Sequence, residues 1–223
     1  MYKRGVTRHM SSLYDKEHIC PVCLLNFYSK RVLVSKIRTK KIESDFCTQY
    51  HGENPQHYSI LVCPTCGFTY SENTSKIKAQ EVEKLSKFLL ENPAEEDFSQ
   101  PRDHYLALKS FERALIIGEF RKEKILVLAN YCLQIAWIYR FLGDQKKENE
   151  YLKKALKYFI EGYEKEADAS NVARVMYIIA EINKRLENEK EAVRWFTRIV
   201  NDQKIKDQAI IRMAREQWQQ MKK

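Results

Sequence analysis

Residues 18–71 read HICPVCLLNFYSKRVLVSKIRTKKIESDFCTQYHGENPQHYSILVCPTCGFTYS, and the two cysteine pairs near its ends decide the fold. Cys20-Pro-Val-Cys23 and Cys63-Pro-Thr-Cys66-Gly67 are both C-x2-C turns with Pro after the first Cys. Such a turn presents two thiolates at once because the backbone between them curls around the ion, and two turns complete a tetrahedral set. Gly67 has the freedom to take the positive φ that aims backbone amides at the sulfurs. The expected metal ligands are Cys20, Cys23, Cys63 and Cys66, and the expected cofactor is a structural Zn(2+). Iron would use the same four ligands. A redox-active dithiol is the alternative, but a thioredoxin-like pair needs a βαβ setting, and both pairs here lie beside strands. The 39 residues between Cys23 and Cys63 exceed the about 15–20 of a compact ribbon, which implies an elaborated one. Inside this insertion Cys47 and His51 form a C-x3-H pair, a weaker set of possible extra ligands.

The insertion has its own pattern. Lys30–Ile42 is rich in β-branched residues and alternates, which predicts one strand, bent or bulged, with Lys36, Arg38 and Lys40 on a single face. Such a cationic stripe is a candidate nucleic-acid contact through phosphates. Tyr58–Val62 is a second apolar strand running into the second pair, and Gly52 and Asn54-Pro55 supply turns. Residues 18–73 thus read as a β-rich, zinc-ribbon-like module behind an N-terminal tail over 1–17.

Beyond it the period becomes helical. Asn73-Thr74-Ser75 offers N-caps for a helix with Val82, Leu85 and Leu89 on one face, ended by Asn92-Pro93. Amphipathic helices follow at roughly 102–119, 123–142, 145–166, 171–187, 189–201 and 205–221, with Gly143 at a helix end. Ala107-x3-Phe111-x2-Ala114 has the small-aromatic-small spacing of tetratricopeptide (TPR) repeats. Later positions repeat at a constant offset of 44 residues, from 136 to 180, 152 to 196 and 155 to 199, against the usual period of about 34. The fold class expected is an α+β N-terminal zinc-ribbon-like module followed by an all-α TPR-like helical-hairpin array over 74–223. A plain helical bundle would carry the same stripes.

The order CPVC, basic strand, SDFC, NP, then VCPTCGF, followed by helices, resembles the bacterial family catalogued as domain of unknown function 2225. The characteristic positions fall on Cys20, Pro21, Cys23, Phe27, Asp45, Phe46, Asn54, Pro55, Tyr58, Cys63, Cys66 and Gly67, and the helical part is matched loosely. The resemblance implies a zinc-ribbon-like module joined to TPR-like helices in a bacterial cytosolic protein, and implies no activity. Asp45 and Asn54 are expected to cap turns that hold the insertion against the metal site.

Charge and composition bound the function. The net charge of +9 permits an acidic partner or nucleic acid without demanding either. The first eighteen residues are polar, and no apolar run is expected to approach the roughly eighteen residues of a membrane span, so a cytoplasmic protein with reduced thiols is expected. Stacked helix pairs build a concave surface that takes peptides. Basic residues on these helices, among them Arg140, Arg174, Lys184, Arg185, Arg194 and Arg198, suit an acidic ligand. The expected function is therefore a non-enzymatic adaptor that binds a protein or peptide, with nucleic-acid binding through strand 30–41 as the alternative. An enzyme is disfavoured, since there is no Ser-His-Asp context, no phosphate-cradling glycine loop and no HExxH, and four thiolates leave zinc no open position. Cys132 is expected to pack in a helix, and His9, His18, His57 and His104 show no catalytic pattern.

Overall fold

The computed structural model describes residues 12–221. The first part of that span consists of three antiparallel hairpins. Strands β1 (Leu13–Ile19) and β2 (Asn26–Val32) flank the first cysteine turn, and β5 (Ile60–Val62) and β6 (Thr69–Ser71) flank the second. Between them, β3 (Arg38–Ile42) pairs with β4 (Thr48–His51). Because β1 begins at Leu13, the last residues of the expected tail belong to the first hairpin; residues 1–11 of that tail lie outside the described residues.

The single strand expected over Lys30–Ile42 is two strands. A 3-10 turn at Val34–Lys36 separates β2 from β3, and the register slips between Thr39 and Lys41, which leaves Lys40 at a bulge. The physical reason is burial: β2 buries Phe27, Ser29 and Val32, whereas all five residues of β3 are exposed, so no core face holds the run straight. Lys36, Arg38 and Lys40 are exposed but sit in a turn, a strand and a bulge rather than on the single regular strand expected to align them.

Among the described residues seven helices follow: α1 (Ala79–Glu91), α2 (His104–Arg121), α3 (Ile125–Leu142), α4 (Gln145–Lys165), α5 (Val172–Arg185), α6 (Glu189–Asn201) and α7 (Gln208–Gln220). Asp103, Asp144 and Asp207 cap α2, α4 and α7 by accepting from first-turn amides. Gly143 ends α3 with φ +75°. Asn73-Thr74-Ser75 does not cap α1, which begins at Ala79. Thr74 Oγ1 instead accepts from Ser71 N and bonds the Tyr131 hydroxyl at 2.9 Å, and Ser75 is held by the Glu123 carboxylate.

The 44-residue offset relates α3 to α5 and α4 to α6. Ala136 and Ala180, Leu152 and Phe196, and Ala155 and Ile199 are all buried. Helix α3 lies between α2 and α4 and buries ten residues. It is also long and apolar enough to cross a membrane by length and composition, with 56% of it buried, contrary to the expectation that no run qualifies. Its second apolar face arises because neighbours pack on both sides.

Close packing at one helix pair rests on a glycine. A Cβ at Gly162 of α4 would lie 2.5 Å from Leu126 Cδ2 and 2.8 Å from its Cγ on α3. Gly→Ala in a helix interior normally stabilises by about 0.5–1 kcal/mol. Here we expect Gly162→Ala to destabilise by about 1–3 kcal/mol through overpacking. Urea unfolding checks the sign, and an increase in stability would refute the contact.

The hairpins and helices share their cores. Cys20, Phe27, Leu61, Cys63 and Phe68 pack with Leu85 and Leu89 of α1 and Ile117 of α2, while Cys47, Ile60 and Val62 join the core of α2–α5. Arg113 of α2 donates to the carbonyl of Gly67 in the second cysteine turn and to those of Asn92 and Pro93 after α1, at 2.7–3.0 Å. One side chain thus ties the metal turn to two helices.

Candidate metal centre and adjoining groove

The two cysteine turns are built alike. Cys20 N donates to Leu25 O and Leu24 N to Cys20 O; Cys63 N donates to Phe68 O and Gly67 N to Cys63 O, all at 2.9–3.0 Å. The residue after the second cysteine of each turn has positive φ, +62° at Leu24 and +71° at Gly67. The turns face one another so that the four sulfurs all lie within 4.8 Å, with Cys20 Sγ 3.6 Å from Cys66 Sγ and Cys23 Sγ 3.7 Å from Cys63 Sγ.

A tetrahedron of sulfurs at the zinc–thiolate distance of about 2.3 Å has edges of about 3.8 Å, so the spacing fits an ion at the centre. The electrostatics agree. Cys20 is pulled down to about 5 by the hydrogen bond from Cys66, while Cys66 is pushed up by that same neighbour and Cys63 by burial. Thiolates this close repel one another, and a divalent ion at the centre removes the conflict. The residues therefore fit a tetrathiolate site. The group would be held by Cys20, Cys23, Cys63 and Cys66 and would supply a cross-link between the first and third hairpins.

Leu24 is the one irregularity. Its side chain is 74% exposed at the tip of the first turn, in a left-handed conformation that a Cβ disfavours by about 1–2 kcal/mol. The added freedom of glycine in the unfolded chain offsets part of this. We expect Leu24→Gly to stabilise the zinc-loaded protein by about 0.5–1 kcal/mol, read as a raised midpoint in denaturant; an unchanged or lowered midpoint would remove the argument.

Cys47 and His51 do not join this site. Among the described residues the four cysteines are the only cluster suited to a metal. Cys47 is fully buried among apolar residues, where burial pushes its thiol up to about 12, and His51 is exposed at the end of β4. Cys132 is fully buried in α3, as its pattern predicts.

The SDFC element has a larger role than turn capping. Asn54 Oδ1 does accept from Gln56 N at the 3-10 turn Pro55–Tyr58. Asp45 Oδ1 likewise accepts from Cys47 N, but the same buried carboxylate accepts from Trp137 Nε1 at 2.9 Å and pairs with Arg140 at 2.7 Å. Arg140 also bonds Glu43 and Glu148, and Arg185 shares Glu148. Ser44 Oγ donates to Glu181 Oε2. The insertion is thus clamped to α3, α4 and α5 rather than to the metal site. Arg140 and Arg185, expected as exposed ligand contacts, are spent in this clamp.

Phe46, the next residue, has φ +69° and rests on Tyr177 of α5 at 5.4 Å between ring centroids. The guanidinium of Arg174 lies 4.4 Å from the Phe46 ring centroid. Arg174 opens on a groove of about 630 Å3 between α3 and α5. Its floor is Val127, Tyr131, Phe159, Val175 and Ile178, and Lys124, Asn130 and Asn171 stand at its rim. Ser71 and Asn73, just after the second cysteine turn, form one wall, where Ser71 Oγ bonds the Tyr131 hydroxyl. Sequence reasoning placed Arg174 on an exposed basic face but missed Lys124 and the groove, since only the α3–α5 approach brings them together.

A second feature escaped the sequence reading. His57 and His104 are 47 positions apart but meet at 3.1 Å between His57 Nε2 and His104 Nδ1. His57 Nδ1 contacts Arg102 O, and the buried Arg102 donates to the carbonyls of His57, Ile60 and Phe98. Burial pulls His57 down to about 4 and His104 below its usual value, and the pair forms a packed polar link between the insertion and α2.

These features define a class: a hairpin module with a four-cysteine candidate metal site, locked onto a helical array. The family model described as an uncharacterized protein conserved in bacteria, domain of unknown function 2225, matches residues 13–221. The chain belongs to that family. No curated protein and no solved structure matches it.

Proposed function

We propose that this protein is a non-enzymatic interaction protein of the bacterial cytoplasm that binds a protein or peptide partner through its TPR-like helices, with a structural zinc ion in the four-cysteine site. The observation that carries the reading is the open groove between α3 and α5, a concavity with an apolar floor and a polar rim of the kind that receives a chain segment. The 44-residue offset between matching buried positions supports the repeat reading, because each hairpin contributes an equivalent helix to that side. Four thiolates saturate zinc and leave no place for an activated water, so the ion serves the fold. The cytoplasm keeps such thiols reduced and able to bind metal. A phosphate-tracking ribbon has less support, since Lys36, Arg38 and Lys40 sit in a turn, a strand and a bulge rather than along one regular strand.

A photo-crosslinking residue placed at Asn130 or Asn171, at the groove rim, should yield discrete protein adducts in a bacterial lysate. The same residue at Lys190, exposed on α6, should not. Adducts of equal yield at all three positions, or nucleic acid as the only adduct, would sink the reading.

A further inference from the structure

We propose that the α3–α5 groove selects an acidic peptide segment, and that the β-rich module completes this selectivity by holding Arg174 in place through Phe46. The inference rests on the interaction reading above and specifies its ligand. The argument is one of charge left over. Of the two acidic side chains at the groove, Glu166 is committed, because its two oxygens accept from Ile125 N at 2.8 Å and Leu126 N at 3.0 Å and so cap α3, whose N-cap residue Lys124 makes no side-chain cap. Asp168 is committed likewise, accepting from the amide and hydroxyl of Ser170. The two cations, Lys124 and Arg174, are exposed and make no ion pair among the described residues. The groove therefore presents two cations without ion-pair partners over an apolar floor, while the hydrogen-bonding capacity of its two carboxylates is taken up by backbone amides and the Ser170 hydroxyl. A ligand that satisfies both features carries Asp or Glu beside an apolar side chain, its carboxylate on Arg174 or Lys124 and its apolar group on Val127, Val175 and Ile178.

The chain's own terminal segments do not suit this role. Residues 1–11 hold Lys3, Arg4 and Arg8 and no acidic residue, and residues 222–223 are both lysine. The occupant we assign is a partner's acidic segment. Arg174 does not hang free in the groove: its guanidinium is stacked on Phe46, which the clamp at Asp45 fixes on α5. Restricting a long side chain before binding lowers the entropy lost on binding. This assigns a role to the Phe of the SDFC element that turn chemistry does not.

The test is selection from a displayed library of random dodecapeptides on the zinc-loaded full chain, followed by fluorescence anisotropy with a synthetic copy of a recovered peptide. Recovered sequences should be enriched in Asp and Glu, and binding should weaken as salt rises. Arg174→Ala should weaken binding roughly tenfold, Lys124→Ala with Arg174→Ala further, and both should leave the melting temperature unchanged. Phe46→Leu, which keeps Arg174 and removes its support, should give a smaller loss while zinc content is retained. Peptides without acidic enrichment, acidic peptides indifferent to Arg174→Ala, or no recovered peptides would each overturn the proposal. Recovered peptides that respond instead to Lys153→Ala or Lys157→Ala on α4 would overturn this assignment and leave the interaction reading standing. Absence of both peptides and groove cross-links would remove both.

Discussion

Cys63→Ser should abolish stoichiometric zinc binding and unfold the hairpin module at temperatures where the native protein is intact. Cys63 is fully buried, and it holds one corner of a sulfur cluster whose other turn lies 40 positions earlier at Cys23. Around that cluster the module has little of its own to hold it together. Its three sheets have two strands each, β3 buries nothing, and two-stranded hairpins are marginal in isolation. Metal affinity is then folding free energy, and losing a ligand should cost at least about 4 kcal/mol. Because Phe68 and Leu61 share a core with Leu85, Leu89 and Ile117, the loss should reach α1 and α2 as well. Metal analysis of the purified protein and thermal melts with and without a chelator check this. A variant that keeps one zinc per chain, or a melting curve indifferent to chelator, would show that the cluster is not a folding site.

The second large effect is expected at Asp45→Ala. This carboxylate is 6% exposed and serves the Trp137 indole, the Arg140 guanidinium and the Cys47 amide together. Truncating it leaves the indole N–H without its acceptor and removes one of the three carboxylates around Arg140, whose charge is strongly held by Asp45 and Glu148 against the opposing cost of burial. Removing one partner of a buried pair costs about 3–5 kcal/mol. Equilibrium unfolding in urea with zinc present reads the loss, and the metal should remain bound, because the clamp is separate from the cysteines. A change below about 1 kcal/mol would mean that the clamp is dispensable to stability.

These two sites differ in how far they could be read before folding. The four-cysteine cluster was legible because the chemistry is local: a C-x2-C turn carries its geometry within four residues, and the only remote fact needed is that there are two of them. The helices were legible for a similar reason, since apolar spacing repeats within each and Gly143 marks an end by its backbone angle, whereas the caps Asp103 and Asp144 emerged only with the structure. The strand over Lys30–Ile42 was misread because alternation records only that one face is apolar. Whether anything packs on that face is a tertiary matter, and for β3 nothing does. Likewise Asn73, Thr74 and Ser75 have the chemistry of caps, but Thr74 and Ser75 are claimed by Tyr131 and Glu123, some 48–57 positions away.

The sequence by itself determined the pairing of the four cysteines into a candidate metal cluster, the change from β-rich to helical structure, and the positions that must be buried in each hairpin. Each follows from interactions among residues a few places apart, where the chain leaves little choice of geometry. Only the tertiary structure decided which charges are spent and which are left over. Arg140, Arg185 and Arg174 are alike as letters on amphipathic helices. The docking of Glu43 and Asp45 onto α3 consumes the first, Glu148 takes the second, and Phe46 props the third at the mouth of a groove. That partition depends on contacts between residues 37 to 128 positions apart, and no local spacing encodes it.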